Sequence, residues 1–500
     1  MRSGKNDVNY SWHSDALIKG IDHLAEPLAD LFRAYIVHGF VPDVFLLCAL
    51  TPIVKDGNKS KTLSSNYRLI ATSALTLKLF DHIVLELFPT KFIPDALQFG
   101  FLKHSSTTMC TWTLNEVINY FTNRGSSVYI CLLDMTKAFD TIKLSILFEK
   151  LRERIPPVFL RLIIYIYLHQ QCWVKWGNEK SDSFSTGNGV RQGAVASPPF
   201  FNVFLDKLFE QIVNSGIGCW IDNYAFSILG YADDLTLICP TCEGLQQLIN
   251  LVEDYCIKGG LKISVDENPA KSKTKCLAFN QMTPTRNMMV SGLRIPWVDE
   301  AVHLGHTINT DERMSHDLSD KRGVFIGKTH ALQQELGEQY PEVMLRLRWI
   351  YASSFYGSNL WDLFDCSADK LYASWNRSIR LTYSLPINTH RFVLQELYNK
   401  ADLKSTLIRR FNNFSNSLRS STKPEVVHLE RIQRNDWRST YGRNNLLQRS
   451  AAVNPFATPV NQSWRFGVLK ELIDVRDGDT YVPGFSAEEI QIMLNSLCTD

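Results

Sequence analysis

Residues Ala225–Pro240 read AFSILGYADDLTLICP. An apolar run arrives, breaks at Gly230, presents Tyr231-Ala232-Asp233-Asp234 and resumes as LTLIC. Aliphatic and aromatic residues on both sides of one acidic pair predict two buried strands joined by a tight turn. Two neighbouring carboxylates at such a turn are costly to hold unless something pairs with them. A solvated Asp-Asp turn is the plain reading. A divalent cation is the functional one, since Mg²⁺ prefers hard oxygen ligands and keeps positions open for water or phosphate. The choice turns on whether another carboxylate is delivered to the same place.

Upstream, SSVYICLLDMTKAFDTI predicts a strand, VYICLLD, with Asp134 at its carboxyl end, roughly 100 residues before Asp233. An acid leaving a strand end beside an Asp-Asp hairpin has the geometry for a pair of cations. Asp140 suits a cap for the helix LSILFEKLRER. In GVRQG, glycines bracket Arg191 and Gln192, so the backbone can approach something flat such as a base, or simply turn. SPPFFNVFLDKLFEQI opens a helix at Ser197, with Pro198 near its first position. Lys271, Lys273 and Lys275 alternate along KISVDENPAKSKTKCLAFN, the pattern of a solvated strand face. Lys55 and Arg68 lie in two short strand-like runs, where a solvated edge and a phosphate site weigh evenly. QFGFLKHSSTT, from Gln98, reads as a loop feeding a helix that Gly125 ends.

Composition bounds the rest. Five hundred residues exceed one comfortable core, so a multi-lobed enzyme or about two to three domains are expected. Hydrophobic residues at 45% and charged residues at 21% exclude wholesale disorder. A net charge of +2 gives no global basic signature, so a polyanion site must be a local groove. Eleven scattered cysteines without a secretory leader argue for a reducing compartment. VFLRLIIYIYL, from Val158, is too short to span a bilayer and predicts a buried helix in a soluble protein. Arg409, Arg410, Arg419, Arg431, Arg434, Arg438, Arg443 and Arg449 make residues 402–450 locally basic, either a solvated helical face or an RNA contact. The last fifty residues swing acidic.

DMTKAFD, RQGAVASPPFFN, GYADDL, NPAKSK and HLG occur in that order and together resemble the reverse transcriptase of non-LTR (LINE-type) retrotransposons. VKDGN, NYRLI and QFGF resemble the finger blocks that precede them, and the resemblance runs from roughly Gly20 to Leu363. It implies an α+β right-hand polymerase with an antiparallel palm sheet and flanking helices. Expected boundaries are 1–44 for an N-terminal helical extension and 45–300 for fingers and palm. Primer grip and helical thumb would take 301–365, and a mainly helical C-terminal extension 366–500. The implied activity is RNA-directed DNA polymerisation with an RNA template, a DNA primer and dNTPs.

Carried onto this sequence, the resemblance implies that Asp134, Asp233 and Asp234 bind two Mg²⁺ ions, with Mn²⁺ an able substitute. Lys271 would protonate departing pyrophosphate, and Lys55 and Arg68 would neutralise the triphosphate. Phe139 would exclude a ribose 2′ hydroxyl, Gln192 and Gly193 would lie beneath the templating base pair, and Leu304-Gly305 would form the primer grip. Leu69, Pro199 and His303 stand where the family usually has proline, leucine and tyrosine, and none removes a catalytic group. The chain begins almost at the fingers, which reads as a truncated element served by a separate endonuclease. No membrane partner is expected, and nucleus and cytoplasm are the expected compartments. The rivals are a group II intron maturase-like protein, a viral RNA polymerase and a catalytically silent RNA-binding remnant. Intact Asp134, Asp233 and Asp234 favour chemistry over the last of these.

Overall fold

The computed structural model describes residues 3–453, apart from 9–12, 56, 58–59, 269, 281–285, 312–314, 337–339 and 399–401. The acidic C-terminal stretch, from residue 454 on, lies outside the described residues, as does the side chain of Arg449. The chain divides into two units: residues 1–110 with 128–298, and residues 111–127 with those from Asp299 on. The division runs through the helix Thr107–Thr122.

In the first unit, all six residues of the strand Val128–Leu133 are buried. A run that is apolar throughout, rather than alternating, belongs to a strand covered on both faces. It is an interior strand of a four-stranded antiparallel sheet, in the order Lys275–Phe279, Val128–Leu133, Asp234–Cys239, Ile228–Tyr231. The helices Ser197–Asn214 and Cys242–Gly259 pack on this sheet with apolar faces that include Phe201, Phe204, Leu248 and Val252. A second sheet centres on Leu47–Val54, antiparallel to Tyr67–Ser73 and parallel to Gln171–Trp176. The apolar run forms the helix Pro157–His169, but this helix is buried on one face only: Leu162, Ile163 and Ile166 are inside while Val158 and Leu168 are exposed, which corrects the expected buried helix.

Two more local expectations are corrected. Gly230 does not break its strand, which runs Ile228–Tyr231 through it. A Cβ there would stand 2.6 Å from the Phe209 ring, so glycine serves close packing rather than the turn. Asp140 does not cap the following helix. It lies inside the short helical turn Ala138–Thr141, and the helix Leu144–Arg152 starts from Lys143 with no side-chain cap.

From Asp299 on, the second unit continues with the hairpin Glu300–His303 and His306–Asn309. The residues before it pair elsewhere: Leu293–Ile295 folds back onto Met288–Val290 in the first unit. Helices follow at Ser315–Leu336, Pro341–Tyr351, Cys366–Thr382, Leu403–Arg419, Pro424–Gln433 and Thr440–Val453. Aromatic residues fill their core. Trp112 meets Tyr441 edge-on at 5.2 Å between ring centroids, and Phe325 stacks on Trp375 at 5.7 Å.

Candidate active site

Strand register builds the centre of the site. Leu133 pairs with Leu235, and Asp234 pairs with Tyr231, so Asp134 leaves its strand beside the two-residue turn Ala232-Asp233. The Asp134 backbone is fixed on both sides: its N–H donates to Thr274 Oγ1 at 3.2 Å, and its C=O accepts from the Ser264 N–H at 2.8 Å. Burial and then the Asp134 charge raise the Asp233 carboxyl above its ordinary range, with Arg68 and Lys273 pulling it back. Asp234 is pushed up to about 6 by burial, then by Asp233, then by Asp134. Two carboxyls whose proton affinity is raised beside a third acid at a strand end are a donor set suited in kind to a hard divalent cation. As the side chains lie, no three His, Cys, Asp or Glu residues among the described ones converge closely enough to hold an ion. Lys273 Nζ instead stands 3.2 Å from Asp134 Oδ2.

Phe139, Asp140, Gln192 and Gly193 come together beside this centre. Phe139 stacks on Phe201 at 4.5 Å between centroids. Gln192 Nε2 donates to Asp140 Oδ1 at 2.7 Å, and Gln192 O accepts from the Ala71 N–H at 2.7 Å. Gly193 has φ +108, and a Cβ on it would lie 2.9 Å from Ala71 O. A Cβ on Gly189 would lie 2.6 Å from Asp140 O. The close approach these glycines permit is therefore to the chain's own backbone, which locks the loop to the Phe139–Asp140 turn. Arg191 anchors the loop from below, nearly buried, with its guanidinium 4.9 Å from the centre of the Tyr167 ring and 3.9 Å from Asp81.

Lys55 and Arg68 lie at one end of the Leu47–Val54 and Tyr67–Ser73 hairpin, where Lys55 Nζ donates to Ser65 O at 3.0 Å. Burial and the charges of Lys273, Arg68 and Lys137 hold the Lys55 ammonium below its ordinary value, while Asp140 opposes them. Four cations thus crowd one region that also feels the aspartates. Lys271 occupies an exposed turn, and it is Lys273 that pairs with Asp134. Sequence reasoning set Lys273 aside as one of three alternating lysines and passed over Lys137. The signal was available in the position of Lys137, inside the DMTKAFD block between two acids. Leu304-Gly305 form the tip of the hairpin in the second unit, with φ +49 and +82.

An antiparallel sheet that gathers three aspartates at one end, with a cationic hairpin in the same unit, has the palm-and-fingers construction of a right-hand polymerase. Residues 54–308, just over half of the chain, match the family described as reverse transcriptase (RNA-dependent DNA polymerase), and the chain belongs to that family. It is similar to the Pol polyprotein of the type-1 retrotransposable element R2 of Nasonia vitripennis, 25% identical over 239 residues, or 48% of this chain and 23% of that one. The Pol polyprotein of the type-2 retrotransposable element R2DM of Drosophila melanogaster is 27% identical over 203 residues, 40% of this chain and 19% of that one. The chain thus spans less than a quarter of the length of either relative. Among solved structures, telomerase from Candida albicans in complex with a fragment of telomeric RNA aligns over 80% of this chain and 68% of that one, at 13% identity and a TM-score of 0.37. Reverse transcriptases as a family use divalent metal ions. No helix among the described residues is long and apolar enough to cross a membrane.

Proposed function

We propose that this chain extends a DNA primer on an RNA template, with Asp134, Asp233 and Asp234 holding two Mg²⁺ ions. The observation that carries the reading is the register that delivers Asp134 beside the Ala232-Asp233 turn. Bound there, the ions would supply charge neutralisation and an activated primer 3′ hydroxyl. The protein's own part is positional. The aspartates have to close in, and Lys273 has to leave Asp134, before the site is complete. Lys55 and Arg68, with Lys137 beside them, offer cations to a triphosphate, and Lys273 once released from Asp134 adds a fourth. Phe139, held flat against Phe201, blocks a 2′ hydroxyl. Gln192 and Gly193 form a rigid floor under the templating pair, because the loop is tied to Ala71 and Asp140. Lys271 is the proposed proton donor to pyrophosphate, and the Leu304-Gly305 tip the proposed primer grip.

Primer extension on an RNA template tests the reading. The wild type should incorporate dNTPs in Mg²⁺, and Asp233→Asn should lose at least about a thousandfold in rate while melting as a folded protein. Wild-type rates from that variant would remove the carboxylates from the chemistry.

A further inference from the structure

The turn that presents Asp233 and Asp234 holds a strained residue. Ala232 has φ +60, a conformation that glycine adopts freely and alanine does not. A two-residue hairpin turn with positive φ at its first central position ordinarily asks for glycine there. The acids on this turn also repel each other, which favours its relaxation.

Gln98 supplies what the turn lacks. It is 1% exposed. Its Oε1 accepts from the Ala232 N–H at 2.9 Å, and its Nε2 donates to Ala232 O at 3.3 Å. Both backbone polar groups of Ala232 therefore end on a single side-chain amide. The same Oε1 accepts from the Gly100 N–H at 2.9 Å, which fixes the amide's orientation. Backbone bonds lay this segment along the strand before the turn: Phe99 N–H donates to Gly230 O at 2.7 Å, and Gly230 N–H donates to Leu97 O at 2.9 Å. A Cβ at Gly100 would stand 2.3 Å from Ala232 N, so only glycine permits the approach. Asn202 Nδ2 donates to Gly100 O at 3.1 Å and ties the segment to the helix Ser197–Asn214. One residue further on, Phe101 meets Phe139 edge-on at 6.0 Å.

We propose that Gln98 is a positioning residue for the carboxylate turn, holding Ala232 left-handed so that Asp233 and Asp234 are preset toward Asp134. The strap Gln98–Phe101 ties that turn to Phe139, so one segment sets both the acids and the ring beside the incoming sugar. The inference deepens the polymerase reading and rests on it. Holding the turn in one form leaves less rearrangement to be made when the aspartates close in, and misplacement by about 1 Å can cost about a hundredfold in rate. A residue that merely satisfied a buried backbone would affect stability and leave turnover of the folded protein unchanged.

The experiment compares the full chain with Gln98→Met and Gln98→Glu. Methionine keeps the length and loses every hydrogen bond. Glutamic acid at so buried a position stays protonated, keeping one acceptor and one donor. In Gln98→Met the Ala232 amide should exchange with solvent about tenfold faster. Its kcat should fall about a hundredfold, with KM for dNTP within about threefold. Gln98→Glu should recover most of both losses. Turnover in Gln98→Met within about threefold of wild type, an unchanged Ala232 exchange rate, or a kcat loss that glutamate does not rescue would each overturn the proposal. A wild-type chain that extends no primer would sink the polymerase reading instead, and the exchange arm would still decide the clamp.

Discussion

Asp234 shows how strain and function meet in one residue. Its carboxyl, pushed up to about 6 from an ordinary 3.8, binds protons more tightly folded than unfolded. The stability it costs therefore grows as pH rises through that window and is complete above it. Asp233→Asn removes the neighbouring charge that contributes most after burial. Without metal, at neutral pH, this variant should melt above wild type, by the equivalent of at most about 1 kcal/mol once solvent screening is counted. The difference should close below about pH 4. A variant that melts lower at neutral pH would mean that the pair does not strain the turn. Phe139→Val makes a second residue-scale case. Shrinking a ring stacked on Phe201 opens room for a hydroxyl, so the ratio of dGTP to GTP incorporation should fall by about tenfold or more. An unchanged ratio would take Phe139 out of the sugar pocket. The acids were legible because an adjacent pair flanked by apolar runs is chemically conspicuous in the chain. Gln98 was not, because its partner Ala232 lies 134 residues away and nothing local marks the contact. Lys273 was hidden for the same reason: which of three alternating lysines meets Asp134 depends on a strand register.

Local signals carried the long elements. The helices Pro157–His169 and Ser197–Asn214 stand where an apolar run and a Ser-Pro start put them. Short elements failed where a residue had two meanings: Gly230 reads as a breaker but packs under a ring, and Asp140 reads as a cap but bonds Gln192. The hairpin around Leu304-Gly305 adds a consequence that spacing alone could not show. His303 is nearly buried, its Nδ1 3.3 Å from Thr111 Oγ1, and His306 stacks on Tyr356 at 4.7 Å with neither ring nitrogen bonded. Burial lowers them to about 3 and about 4, from 6.5 in the unfolded chain. The unfolded chain then binds more protons between those values, so stability is lost as pH falls below about 6.5. Glu116 in the same unit, raised to about 7 by burial, works the other way. Asp317 in this unit and Asp234 in the first are also raised by burial and join Glu116 in opposing the histidines, so acid lability is the histidines' own contribution rather than the sign for the whole chain. Relative to wild type, His306→Phe should therefore melt progressively higher as pH falls from about 6.5 to 4. An equal slope in the variant would place the acid sensitivity elsewhere.

At the scale of the whole molecule, composition leaves the basic C-terminal stretch open between a solvated helical face and an RNA contact. Much of that charge is committed inside the second unit. Arg419 and Arg434 both bond Glu430, a nearly buried carboxylate that also accepts from Tyr441 Oη at 2.8 Å. Arg438 pairs with Asp436 at 2.9 Å and Arg443 with Asp362 at 2.9 Å. Arg410 donates to Ser354 O at 2.8 Å. Sequence could count these cations but could not see their partners, because Asp362 lies 81 residues from Arg443 and Glu430 is one acid among many. Removing everything beyond Asp365 would also strip the partners of Trp112 and Trp361, since Tyr441 and Asn444 hold them. Point substitutions are therefore the cleaner probe of RNA binding. Glu430→Ala leaves two partly exposed arginines unpaired and should cost about 2–3 kcal/mol in unfolding, read by denaturant titration. Its RNA affinity in the folded state should stay close to wild type. Arg409, exposed on the same stretch, carries the opposite expectation. If its charge meets a phosphate, Arg409→Ala should leave stability unchanged and lower the slope of log affinity against log salt by about 0.7. Equal salt slopes for wild type and Arg409→Ala would remove Arg409 from the RNA-binding surface.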